Sequence, residues 1–115
     1  MSQLEDATVL MPERDNEGYL LDANAWSPAL APLLAAENGL DLSAAHWELI
    51  GFIRDYYDDH QSVPEARRAI QFLAQSTGDK RSAKLKLYEL FPHGYGQQAC
   101  RVAGMRKPLK LMLDL

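Results

Sequence analysis

Cys100 is the only cysteine of the chain and the one side chain with distinct chemical promise. A thiolate is the nucleophile of sulfur chemistry, and its pKa falls when cations or a helix N-terminus lie close. Arg101 adjoins it, and Arg106, Lys107 and Lys110 follow along the chain. These residues predict a depressed thiol pKa, with Arg101, Arg106 and Lys107 as a basic cluster for an anionic sulfur species or a persulfide anion. Small neighbours, Ala99, Ala103 and Gly104, would leave the sulfur open to a partner. The competing reading, and the commoner one on composition alone, is a core-facing cysteine acting as an inert small hydrophobe.

Other groupings carry less. Asp55, Asp58, Asp59 and His60 put carboxylates and an imidazole within one and a half helical turns, but the loop glycine and distal glutamate of a calcium loop are absent. They read as a solvated face. His46 falls on an apolar stripe and reads as a hydrogen-bonded core residue rather than a ligand. Trp26, Trp47, Tyr19, Tyr56 and Tyr57 read as core and near-core aromatics. Gly94-Tyr95-Gly96 lacks the Lys-Ser/Thr of a phosphate loop and reads as a turn. No serine sits in a nucleophile-elbow pattern.

The chain has 115 residues, enough for one domain with one core. One cysteine forms no internal disulfide, and with three scattered histidines it makes no zinc-finger spacing, so neither a structural metal nor a cofactor is expected. The net charge of −4 argues against a surface wholly devoted to nucleic acid. No run approaches the ~18 apolar residues that span a bilayer, and no basic region precedes an apolar one at the N-terminus. A cytoplasmic protein with no membrane insertion is expected.

The elements that must position Cys100 follow from punctuation and periodicity. Residues 7–11 and 19–21 are short apolar runs around a polar turn, which predicts a β-hairpin. Ser27-Pro28 starts a helix with Leu30, Leu33 and Leu34 on one face, and Asn38-Gly39 ends it. Ser43 caps the central helix, running to about His60 with His46, Leu49, Ile50, Ile53 and Tyr57 as its buried stripe. Residues 65–76 restart with Ala66, Ala69, Ile70 and Leu73 inward, and Gly78 stops them. After a charged link, Ser82 caps a helix to Phe91 that carries Leu85, Tyr88 and Leu90. Residues 97–103 are helical by composition, Gly104 is the natural cap, and Pro108 prevents continuation. The expected fold is a mainly α single domain: residues 1–24 an N-terminal segment with the hairpin, 25–104 a helical core, and 105–115 a C-terminal arm.

Several segments together resemble the DsrC/TusE family of small sulfur-relay proteins, which includes the gamma subunit of dissimilatory sulfite reductase. They are Asp15-Asn16-Glu17-Gly18-Tyr19-Leu20, Trp26, Leu40-Asp41-Leu42-Ser43 with His46-Trp47-Glu48-Leu49-Ile50, and Phe52-Ile53-Arg54-Asp55-Tyr56-Tyr57. Pro64, Arg67 and Leu90-Phe91-Pro92 follow, and then the run from Gln98-Ala99-Cys100 to Lys107-Pro108. The resemblance implies a helical domain with an N-terminal β-hairpin, a helix-turn-helix-like element and a flexible C-terminal arm. In the family a penultimate cysteine at the arm tip carries sulfur as a persulfide, and some members add a second cysteine eleven residues earlier. Cys100 matches that earlier one; position 111 is a leucine and position 114 an aspartate. The resemblance therefore implies a relay protein with Cys100 as sole redox-active or persulfide-forming thiol, partnered by a sulfur-metabolism protein such as sulfite reductase or a Tus-type relay complex. At most it would be a sulfurtransferase-type carrier, since no independent active site is seen.

A regulatory or adaptor protein of the same fold, binding DNA or protein without sulfur transfer, is the alternative. Its sign would be a basic face built from Arg67, Arg68, Lys80, Arg81, Lys84 and Lys86.

Overall fold

The computed structural model describes residues 11–108. A short 3₁₀ turn, Ala23–Ala25, precedes four α-helices: α1 (Leu30–Glu37), α2 (Ala44–His60), α3 (Ala66–Thr77) and α4 (Lys80–Leu90). A π-helical segment, Tyr95–Cys100, comes next. The mainly α character is as expected. Among the described residues the expected hairpin region shows one isolated antiparallel bridge, between Arg14 and Leu20. Its turn is tied by Asp15, whose carboxylate accepts from the Glu17 and Tyr19 N–H groups. Residues 7–10 of the expected first strand lie outside the described residues, as do residues 109–115 of the expected arm.

Local chemistry explains the boundaries. α1 begins later than Ser27-Pro28 suggests, because those residues form a tight turn in which Ser27 accepts through its carbonyl from the Leu30 N–H rather than capping through its side chain. Gly39, at φ +70, lets the Leu40 N–H return to the Ala35 carbonyl and closes the helix. α4 begins earlier than expected. Asp79, not Ser82, is its cap: the carboxylate accepts from the Ser82 N–H at 2.7 Å, and that bond holds the carboxyl below its usual pKa.

The core forms where the helices bring apolar stripes together: Leu30 and Leu34 of α1, Leu49, Ile50 and Ile53 of α2, Ile70 and Leu73 of α3, and Leu87 and Leu90 of α4. Three expected inward residues face solvent instead. α4 buries Ala83, Leu87 and Leu90, whose 4 and 3 spacing defines its inner face, so Leu85 and Tyr88 lie outside at 67% and 45% exposure. Leu33 of α1 is likewise exposed. Trp47, expected near the core, is 37% exposed.

His46 joins α2 to the end of α4. Its Nδ1 accepts from the Ser43 N–H at 3.0 Å, which places the ring proton on Nε2, and Nε2 donates to the Leu90 carbonyl at 2.7 Å. The Phe91 ring meets the imidazole edge-on at 5.0 Å. The structural role expected for His46 holds. His46→Ala leaves the buried Leu90 carbonyl without its donor and opens a void, and should cost about 2–4 kcal/mol in denaturant unfolding. Ser43→Ala keeps the Leu90 bond and should cost only about 1 kcal/mol.

Candidate functional site

Cys100 ends the π segment and is wholly buried. A π turn packs one residue more per hydrogen-bonded ring than an α turn, and such turns recur at functional sites. Here it aims two side chains inward together. Tyr95, bracketed by Gly94 and Gly96, is buried with its hydroxyl donating to the Pro64 carbonyl at 2.6 Å. That hydroxyl also lies beside the Cys100 thiol. Burial pushes the Cys100 pKa up to about 12, with only a smaller lowering from Tyr95. The expected depressed thiol pKa is thereby corrected, because loss of hydration opposes the thiolate more strongly than its neighbours favour it. Tyr95 owns a single hydroxyl proton and has given it to Pro64, so it offers a thiolate no donor without breaking that bond.

The expected basic cluster is distributed to other tasks. The Arg101 guanidinium lies over the Tyr19 ring, 4.8 Å from its centroid, and donates to Asn38 Oδ1 at 3.2 Å, while its buried Nε has no hydrogen-bond partner among the described residues. Arg106 is exposed. Lys107 pairs with Glu17 at 2.7 Å, which raises the lysine pKa. Arg101 and Lys107 thus clasp the N-terminal turn against the segment beyond Cys100. Tyr19 adds a buried hydrogen bond from its hydroxyl to the Gly96 carbonyl at 2.8 Å.

Beyond Cys100 the chain is closed by a tight cap. The Met105 N–H donates to the Cys100 carbonyl at 3.0 Å and the Gly104 N–H to that of Arg101 at 3.1 Å, with Gly104 at φ +78. A Cβ on Gly104 would sit 2.1 Å from Trp26 Cδ1. The Trp26 indole donates to the Val102 carbonyl at 3.0 Å. Arg54 of α2 stacks over that indole at 4.5 Å and donates to the Ala103 carbonyl at 3.1 Å. Met105 and Pro108 are buried behind this cap. Small neighbours do not leave the sulfur open, as Ala99 and Ala103 are themselves core residues.

Tyr95, Arg54 and Asn38 are the site residues missed in sequence. The two glycines around Tyr95 signal an aromatic set in an unusual turn, whereas nothing local marks Arg54 or Asn38 as partners of a segment some fifty residues away. Asp55, Asp58, Asp59 and His60 are exposed, as expected of a solvated face. Among the described residues no three His, Cys, Asp or Glu side chains are grouped to hold a metal ion, and no helix is long and apolar enough to cross a membrane.

Between the ordinary thiol pKa of about 8.5 and about 12 the folded chain retains a proton that the unfolded chain has released, so stability falls as pH rises through that window. Thermal unfolding at about pH 8 and about pH 9.5 should show a loss for the wild type that is smaller in Cys100→Ser.

Comparison with known proteins places the chain in one family. The family model described as DsrC like protein matches residues 8–112. A sulfurtransferase TusE from Pectobacterium atrosepticum is 42% identical over 96 residues, covering 84% of this chain and 88% of the relative. The TusE of Salmonella typhimurium is 41% identical with the same coverage. Among solved structures, DsrC of Allochromatium vinosum superposes with a TM-score of 0.72 at 38% identity, covering 84% of this chain and 86% of that one. The oxidized gamma subunit of the dissimilatory sulfite reductase from Archaeoglobus fulgidus does so with 0.75 at 29% identity, covering 85% and 90%.

Proposed function

The chain belongs to the family of DsrC-like proteins, and on that premise we propose that it is a sulfur-relay protein of cytoplasmic sulfur metabolism whose one thiol is concealed until a partner opens the cap around it. The partner class is a sulfur-metabolism protein of the kind its relatives' names denote, a sulfurtransferase relay or a sulfite reductase. The observation that carries the reading is the conjunction at Cys100: the sole cysteine, wholly buried, next to a glycine cap that Trp26 and Arg54 hold shut.

The chemistry requires two events in order. Opening must first rehydrate the sulfur or give it a donor, so that its proton leaves at neutral pH. The Cys100 thiolate then attacks the terminal sulfur of a donor persulfide; the new S–S bond forms on Cys100 as the donor's S–S bond breaks, and the donor departs as a thiolate. Release to an acceptor thiolate is the same exchange in reverse. Arg101 and Arg106, and Lys107 once parted from Glu17, are the cations proposed to meet the resulting persulfide anion.

Intact-protein mass spectrometry after incubation with polysulfide, read without reductant, tests this. The folded wild type should load slowly and Gly104→Ala, whose added methyl collides with Trp26, at least about tenfold faster, with Cys100→Ser unloaded throughout. Equal, rapid loading of wild type and Gly104→Ala would show that the cap conceals nothing. Failure of Cys100 to load even in urea would leave the chain a binding member of its family.

A further inference from the structure

α2 and α3 leave an open groove of about 710 Å³ between them. Its floor is aromatic: Phe52 stacks on Phe72 at 4.6 Å, Tyr56 lies against Phe52 at 6.2 Å, and Trp47 stands exposed at one end. Its rim is acidic. Glu48, Asp55 and Asp59 recur at the 7 and 4 spacing that puts them on one face of α2, and all three are exposed. Gly51 lies on the wall, and the space a Cβ would take there is free. Arg68 of α3 lies over the outer Tyr56 ring at 5.9 Å.

The outer face of α4 has the opposite character. Leu85 and Tyr88 are large, apolar and exposed, and Arg81 and Lys84, also exposed, sit on the same face at spacings of 3 and 4. Charge is segregated along the chain in the same sense. α2 carries Glu48, Asp55, Asp58 and Asp59 against Arg54 alone, while α3 and α4 carry six cations against Glu89. A molecule of net charge −4 therefore holds a basic outer face on α4 with an apolar ridge, and an aromatic groove whose α2 edge carries the carboxylates.

We infer that this protein associates head to tail, the Leu85–Tyr88 ridge of one copy entering the α2–α3 groove of a second, with Arg81 and Lys84 against the carboxylates of Glu48, Asp55 and Asp59. The occupant is argued from complementarity in two respects at once. An aromatic groove favours an apolar ridge, and a rim of carboxylates favours a ridge flanked by cations and disfavours an acidic one. Phosphate-rich ligands would use the cations but not the exposed leucine. Because ridge and groove are different surfaces, the contact is heterologous and extends beyond a pair unless the rotation closes a ring. Ion pairs at its exposed rim weaken as salt screens them.

Sedimentation velocity on the full chain, from micromolar to near-millimolar concentration, tests the inference. The wild-type mass average should climb past that of a dimer and fall in high salt. Leu85→Asp spoils the ridge, and Gly51→Leu fills the groove; both alter exposed or open positions, so circular dichroism should show an unchanged fold. Each variant alone should be monomeric. Mixed, they should form a one-to-one pair that grows no further, since each retains the half that the other lacks. A wild type monomeric at every concentration, association indifferent to both substitutions, or a mixture that stays monomeric would each overturn head-to-tail association.

Discussion

The space beside the Trp26 indole admits a glycine and nothing larger, and much of the C-terminal half of the molecule is arranged around that fact. With Gly104 against it, the indole reaches the Val102 carbonyl, Arg54 reaches the Ala103 carbonyl across the indole face, and Met105 turns back into the core. Each of these bonds satisfies a backbone carbonyl near the end of a helical segment, where intrahelical partners run out. The cap is consequently more than a chain terminator. It ties residues from the N-terminal segment, the central helix and the segment beyond the thiol into one contact network.

The thiol beside that network is buried and neutral, which sets the terms of its reactivity. Among the described residues nothing offers Cys100 a compensating charge, and the nearest cation in sequence is occupied with Tyr19 and Asn38. In the proposed relay, the free energy for unmasking comes from whatever binds the protein, through contacts that favour the open arrangement over the closed one. Burial of this kind shields a lone thiol from reagents in solution. Arg101 Nε is buried without a partner among the described residues, so a rearrangement that gave that N–H an acceptor would add a hydrogen bond.

Much of the helical framework was legible in the sequence because its signals are local. Ser43, Gly39, Gly78 and Gly104 mark ends through their own backbone chemistry, and the 3 and 4 spacing of Leu49, Ile50 and Ile53 marks the inner face of α2 whatever packs against it. The errors arose where two local signals competed. Asp79 and Ser82 both suit a cap, and the carboxylate won. Leu85 and Leu87 both suit a core, and the choice fell to the neighbours, Ala83 and Leu90, that share a face with Leu87. The reactivity expected at Cys100 failed for a different reason: Arg101 is adjacent in sequence but turned away toward Tyr19, and charge proximity along a chain says little about direction in a helix. The link from Arg54 to Ala103 is a pairing that only the closed chain creates.

The π geometry of Tyr95–Cys100 has a mechanical meaning of its own. An α-helix advances about 100° per residue, so a turn that houses one surplus residue stores an angular offset between the chain on its N-terminal side and the chain on its C-terminal side. Relaxation of that turn to α winding would swing Cys100 about the helix axis by roughly one residue's step without melting any helix. The thiol's address, inward or outward, is in this sense written in the winding number of the segment that bears it, and a one-residue deletion between Gly96 and Ala99 would rewrite it.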